Sequence, residues 1–428
     1  MIGFYPQERF FLNGASKATE NVHALLKQEL GAVALPSDAP IDTVFRADPF
    51  ITEQAKHRLQ RYSMCGLTHT LSTPHVVAEL QSYGCLKPYD ALVCTSSAAK
   101  RVVQSLVGSS LVQLPVIPLP TRAPVVRPYK KYWFTALTAG RISAWSKANL
   151  APVFAALQML AEQLNTTVQY SVAGVGSTDD EAELAAVAAC FPRVEFVLFN
   201  GANEEEWQAA WGSADVYIAP SDNVQETFGM ATAEAMSLGL PVIATEWAGH
   251  SDMIVHRESG YLLRMTAASF AGPDFTGATA AYHRAAAEQT FFSVPQLCSY
   301  LFSLTNAQLR DQIGRAAKAR YASELSLEVV CRKYTELFTE LRDLRDRFKP
   351  RSVPSLYESW TAPMPRSAVA ARTALDADAV LRAATRSLDS TNVEQLLQME
   401  GPIQYCQLSA AQQRVFVTCL KLGLLELV

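Results

Sequence analysis

An α/β fold built on parallel sheets is predicted by three features of the chain. From about residue 133 to residue 245, strand-type runs alternate with helix-type runs of about ten residues, the pattern of a parallel sheet covered on both faces. A proline-rich stretch, Val116-Ile117-Pro118-Leu119-Pro120 with Pro124 and Pro128 beyond it, separates this region from an upstream half with its own strand-to-polar-loop signals. The length, 428 residues, has room for two or three domains, and 49% hydrophobic residues can fill their cores.

Taken in order, the runs 67–73 and 89–97 read as strands ending in polar loops, and a first domain is expected over 1–125. A second domain is expected over 126–348. It opens with a strand at 133–138, a helix at 150–164 and a strand at 168–173. A helix at 181–190, a strand at 194–199, a helix at 204–211 and a strand at 215–219 follow. From 307 to 347 the pattern is helical and charged. The turn-rich break Lys349-Pro350-Arg351-Ser352-Val353-Pro354 then begins a linker and a helical extension over 349–428, with three short helices expected from about 368 and a protein contact as its expected use.

A formal net charge of −4 excludes a general nucleic-acid binder, so any polyanion site must be a local pocket of positive charge. Eight cysteines stand without Cys-x-x-Cys pairs, which argues against a zinc site or a disulfide framework and for small buried hydrophobes in a reducing compartment. The N-terminus lacks a basic region followed by an apolar core, and no stretch reaches eighteen uninterrupted apolar residues. A soluble cytoplasmic protein, or one peripheral to a membrane, is the expectation.

The chemistry concentrates in one segment. Asp215-Val216-Tyr217-Ile218-Ala219 leads into a polar loop ending Glu226-Thr227-Phe228-Gly229, and a helix-type run from Met230 stops before Gly239. Such a strand, loop and helix N-terminus gather free N–H groups and the positive end of a dipole at one point, a seat for phosphate. Glu234 then falls about five residues, roughly 7.5 Å, along the helix. From there its carboxylate can accept two hydrogen bonds from a ribose diol. Glu226, on the loop, can face a sugar beyond the far phosphate. The competing reading is a pair of solvated glutamates, and the flanking residues decide against it.

Those residues run Glu226-Thr227-Phe228-Gly229, then four positions, Glu234-Ala235-Met236, then Gly239-Leu240-Pro241-Val242-Ile243. The segment resembles the donor-binding signature of glycosyltransferase family 4, retaining enzymes of the GT-B fold. Trp247-Ala248-Gly249-His250-Ser251-Asp252 and Ser259-Gly260-Tyr261-Leu262-Leu263 are similar to the family's next loop and strand, and the likeness covers about 130 to 345. It implies two Rossmann-like domains facing a cleft, a nucleotide-sugar co-substrate linked to UDP or GDP, and a reaction that needs neither a metal nor another cofactor. Phe228, Gly229 and Met230 join Glu226 and Glu234 as expected donor-binding positions. The acceptor, whether glycan, lipid-linked glycan, protein or small molecule, is not readable.

Breaking a nucleotide-sugar bond leaves charge on the departing phosphate, and fixed cations can hold it. Arg141 and Lys147, in Gly140-Arg141-Ile142-Ser143-Ala144-Trp145-Ser146-Lys147, follow the strand at 133. Alone they read as solvated; in this place they resemble the family's phosphate-binding pair, with one more residue between them than is usual. Gly174-Val175-Gly176 is a weak dinucleotide signal and reads as a tight turn lining the pocket. His69, in Thr68-His69-Thr70, is either a structural histidine or, by resemblance, the residue that reaches the donor from the opposite domain.

The first half departs from the pattern. It spends only about 125 residues, and 1–29 offers Asn13-Gly14-Ala15-Ser16 rather than a Gly-Gly loop after a strand. Two functions fit the sequence: a retaining glycosyltransferase using Arg141, Lys147, Glu226 and His69, and a non-catalytic binding or assembly subunit of the same fold.

Overall fold

The computed structural model describes residues 2–4, 14–35, 41–57, 62–69, 71–129, 134–144, 146–267 and 279–348, together with three short strands between 367 and 427. Met1–Phe348 forms one compact unit and Lys349–Val428 a second.

The first half of the larger unit is a five-stranded sheet. Its strands are β1 (Ile2–Phe4), β2 (Val33–Ala34), β3 (Thr43–Phe45), β4 (Ser63–Leu67) and β5 (Ala91–Val93), in the order β2-β1-β3-β4-β5. Every pairing is parallel. Helices α1 (Gly14–Leu30), α2 (Thr52–His57), α3 (Pro74–Gln81) and α4 (Ser97–Leu106) make the connections. The strand read from sequence at 67–73 shares only Leu67 with β4, which lies upstream of it, and the one read at 89–97 is shortened to β5, for a local reason. Thr73 and Ser96 are spent as N-caps, their hydroxyls accepting from the N–H groups of Val76 and Ala99, so the polar runs belong to helix starts. Pro74 sits in the first turn of α3, where its missing N–H costs nothing. With two or three residues each, β1, β2 and β3 are too short to show alternation.

The second half is a six-stranded sheet of β6 (Thr135–Ala139), β7 (Val168–Gly174), β8 (Val194–Asn200), β9 (Val216–Ala219), β10 (Val242–Thr245) and β11 (Tyr261–Leu263). Their order is β11-β10-β9-β6-β7-β8, all parallel. It is interleaved with α5 (Ala151–Gln163), α6 (Thr178–Ala189), α7 (Glu204–Ser213), α8 (Met230–Leu238) and α9 (His250–Met253). Every residue of β7 is buried, the mark of a central parallel strand covered on both faces. Ser177 and Asp180 form a capping box on α6, and Asn203 caps α7 ahead of Glu204, Glu205 and Glu206, whose charges suit the helix N-terminus. One hydrophobic layer fills the α5 side of this sheet, with Phe154 edge-on to Tyr170 at 4.9 Å.

A short antiparallel pair, β12 (Thr266–Ala267) and β13 (Thr290–Phe291), brackets α10 (Thr279–Glu288). Then α11 (Val294–Leu304), α12 (Ala307–Arg320), a π-helical turn (Tyr321–Leu325) and α13 (Leu327–Arg347) return the chain to the first sheet. Tyr334 of α13 meets Phe45 of β3 edge-on at 5.9 Å, and the Arg345 guanidinium donates to the Asp42 carbonyl at 2.6 Å and to its carboxylate at 2.9 Å.

In the smaller unit, β14 (Ser367–Ala370) pairs antiparallel with β15 (Ile403–Gln404) and β16 (Leu425–Leu427). Leu425–Leu427, expected at the end of a helix, is therefore a strand. Residues 368–370 and 403–404, within the segment expected to be helical, are strands as well, and the other positions of 349–428 lie outside the described residues. No helix among the described residues is long and apolar enough to cross a membrane.

Candidate active site at the switch point of the second sheet

The order of the second sheet reverses between β6 and β9, and crevices at such switch points, beyond the carboxyl ends of the strands, are where α/β sheets take ligands. The loops leaving β6 and β9 here are 140–150 and 220–229. They are tied together: the Ser146 carbonyl accepts from the Arg141 guanidinium at 3.0 Å and from the Gln225 side-chain amide at 3.2 Å. Lys147 pairs with Glu226 Oε2, while Glu226 Oε1 accepts from the Phe228 N–H at 3.4 Å. Burial alone would raise the Glu226 carboxyl. Lys147 and His250 beside it, with the Phe228 N–H, instead pull it down to about 2, so it is ionised throughout the neutral range.

Glycines set the backbone. Gly229, at φ +103°, is the N-cap of α8, and a Cβ there would stand 2.7 Å from His250 Nε2. A Cβ on Gly174 would lie 1.8 Å from the Gly140 carbonyl oxygen. Gly174 thus holds the start of the Arg141 loop in place and is not among the residues lining the cavity. Phe228 is buried, contributing its N–H to Glu226 and its ring to the core.

A cavity of about 90 Å³ opens between these loops. Arg141, Lys147, Glu226, Met230 and His250 line it. Sequence spacing gives His250 no special place. It is buried, and its Nδ1 lies 3.2 Å from the Thr245 carbonyl, which can only accept; Nδ1 therefore carries the proton and Nε2 is bare in the neutral ring. Burial pushes its pKa down, with Glu226 opposing.

Glu234 lies outside the cavity lining, and the residue against it comes from the other half of the molecule. Lys17, on α1, places its ammonium 2.8 Å from Glu234 Oε1 and 5.5 Å over the Trp207 ring. Burial raises the Glu234 carboxyl and Lys17 draws it back. A lysine 217 positions away leaves no local trace that sequence spacing can detect.

His69 follows β4 on the first sheet. The structure sets it among first-half residues, near Asp48 and the Ala47 carbonyl, and it is not a lining residue of the cavity. Its Nδ1 is buried without a partner, and burial pushes its pKa down. The neighbouring Thr68 does reach the 220–229 loop indirectly: its hydroxyl accepts from the Thr95 N–H at 3.2 Å, and the Thr95 hydroxyl donates to the Thr227 carbonyl at 3.4 Å.

Comparison with known proteins agrees with this geometry. Residues 134–272 match the family model described as glycosyl transferases group 1. A phosphatidyl-myo-inositol mannosyltransferase of Mycobacterium leprae is 29% identical over 203 residues, 46% of this chain and 52% of that protein. The amylovoran biosynthesis glycosyltransferase AmsK of Erwinia amylovora is 31% identical over 121 residues, 27% of this chain and 29% of that protein. The chain thus spans about half or less of these relatives. Among solved structures, Anabaena HepE in complex with UDP-glucose superposes with a TM-score of 0.54 at 15% identity, covering 79% of this chain and 99% of that one. Sucrose-phosphate synthase from Thermosynechococcus elongatus gives 0.54 at 16% identity, covering 78% and 81%. The fold is GT-B, two Rossmann-like halves across a cleft, and the half that carries Arg141, Lys147 and Glu226 matches the glycosyl transferases group 1 model.

Proposed function

We propose that this protein is a retaining glycosyltransferase of family 4 type that moves a sugar from a nucleoside-diphosphate sugar to a hydroxyl acceptor. The observation that carries the reading is the meeting of Arg141 and Lys147 with Glu226 and the N-terminus of α8 around one cavity at the sheet's switch point. The diphosphate is held by Arg141, Lys147 and the α8 N–H groups. As the bond from the sugar's anomeric carbon to phosphate oxygen breaks, these groups take up the charge on the leaving phosphate, so the reaction is expected without a divalent metal. With the phosphate in place Lys147 turns to it, leaving Glu226 to accept from sugar hydroxyls. The acceptor hydroxyl attacks through an oxocarbenium-like state on the face the phosphate leaves, and its proton passes to the phosphate oxygen. Glu234 accepts from the ribose diol.

UDP- or GDP-linked hexoses are the donors we favour, since the solved neighbour HepE holds UDP-glucose and relatives are named for mannosyl transfer and amylovoran biosynthesis. The same names support a glycan or lipid-linked acceptor. His69 is proposed to assist from the first half.

The test is a panel of UDP- and GDP-sugars, following thermal stabilisation and nucleotide release, with the product anomer read by NMR. One donor should stabilise the wild type and release nucleotide. Arg141→Ala should weaken its binding at least about tenfold, the scale of one charge-assisted hydrogen bond. Equal binding by the variant would refute the phosphate role. Stabilisation without release, acceptors included, would instead leave the non-catalytic binding subunit.

A further inference from the structure

The ion pair between Lys17 and Glu234 joins the two halves at the carboxylate to which the proposed function gives the ribose, and a role for Lys17 at that sugar rests on the same reading. Glu234 is nearly closed off, its side chain 6% exposed, whereas the Lys17 side chain is 53% exposed. The contact engages Oε1 alone. The ammonium, held over the Trp207 ring, keeps two further N–H donors on its open side.

A vicinal diol offers two hydroxyls, each able to give one hydrogen bond and to receive others. A carboxylate can only accept and an ammonium can only donate. Side by side they answer both requirements: one hydroxyl donates to Glu234 Oε2 while Lys17 Nζ donates to a hydroxyl oxygen. We infer that Lys17 is a specificity-determining residue for the donor, reading the ribose 2′,3′-diol jointly with Glu234 from the opposite side of the cleft.

The pair differs from an ordinary surface salt bridge, which contributes little and calls for no particular partner. Its carboxylate is buried on α8, one turn beyond the helix N-terminus that borders the cavity. Its cation belongs to α1 of the first sheet, and the Trp207 ring beneath that cation belongs to α7 of the second. Recognition of the ribose therefore depends on the two halves standing as they do here. A free second half would keep Glu234 but lose half of the diol reader.

The test compares the affinity of UDP with that of 2′-deoxy-UDP, or of GDP with 2′-deoxy-GDP, by calorimetry on the full chain. Lys17→Met keeps the stem over Trp207 and removes the charge. The wild type should favour the ribonucleotide by about tenfold or more, the scale of one charge-assisted hydrogen bond. That preference should collapse in Lys17→Met and in Glu234→Gln. The double variant should lose no more than either single one, because the two groups act as a unit. Lys17→Arg, keeping the charge, should restore most of the preference. An unchanged ratio in Lys17→Met, with Glu234→Gln reduced, would overturn the inference and leave the nucleotide reading standing. Tighter binding of both nucleotides by Lys17→Met would also overturn it, making Lys17 a plug over Glu234. A wild type that binds neither nucleotide would overturn both readings.

Discussion

Asp222 is buried at the root of the Glu226 loop with Oδ1 unpartnered, while Oδ2 accepts from the Asn149 N–H at 3.3 Å. Burial raises its pKa from the usual carboxylate range to about 6, with the Asn149 N–H opposing. Below about pH 3 folded and unfolded chains both hold the proton, and the site costs nothing. As pH rises toward 6 the unfolded chain releases its proton and the folded one keeps it, so stability falls; above about 6 the full cost stands, at most about 3 kcal/mol. Asp222→Asn should therefore stabilise the protein at about pH 7.5, and the gain should vanish by about pH 3. Denaturant melts at both values check this; equal gains at both would mean that the effect is not titration. At this scale the sequence is informative where residues share a loop. Arg141 and Lys147 stand six apart and Glu226 precedes a helix, yet by spacing alone they read as solvated, and the resemblance of the flanking residues to the family signature is what brings them into view. Lys17 stays hidden and His250 appears only within a resembling segment, since the pairing of Lys17 with Glu234 and the place of His250 beside Glu226 exist only after the sheets form.

At the scale of elements the site depends on close backbone crossings. The Gly140 N–H donates to the Ala173 carbonyl and the Gly201 N–H to the Gly174 carbonyl, at 2.9 and 2.7 Å, so the ends of β6, β7 and β8 are pinned to one another. Gly174 lies at the centre of the crossing. Gly174→Ala would place a methyl 1.8 Å from the Gly140 oxygen, a contact with rigid backbone that no side-chain rotation relieves. The strands must part there, at a cost of about 2 kcal/mol on the scale of overpacked cores. The Arg141 loop would move with them. A drop of more than about tenfold in nucleotide affinity is expected beside the lowered melting temperature. Retained affinity would show that the loop is set by Ser146 rather than by Gly174. The elements of the second half are legible in sequence because long strands such as β7 and capped helices such as α6 carry strong local patterns. Those of the first half are fainter. Its shortest strands are specified by their neighbours, and Thr73 and Ser96 serve as caps where a run of polar and apolar residues reads as strand.

At the scale of the molecule, the last long helix ties the second half back to the first sheet. Helix α13 follows the second sheet in sequence, yet Val330, Tyr334, Leu337, Phe338 and Leu341 are buried in a core that includes Phe45, Cys65 and Leu67 of the first. Phe348 then meets Tyr89 edge-on at 5.4 Å. Burial of a large apolar side chain stabilises by about 1.5–3 kcal/mol, so these five on α13 together approach the whole stability of a typical domain, about 5–15 kcal/mol. Two truncations separate this role from that of the remaining chain. A protein ending at Phe348 keeps the compact unit and every cavity-lining residue, and should melt cooperatively and bind nucleotide within about twofold of the full chain. One ending at Leu325 exposes the underside of the first sheet. It should lose cooperative unfolding of that half and, with α1 no longer held, the Lys17 contribution to the ribose. Circular dichroism melts and calorimetry on the two proteins decide the matter: if the shorter one folds and discriminates ribose from deoxyribose as well as the longer, α13 is an accessory and the halves meet through the cleft alone.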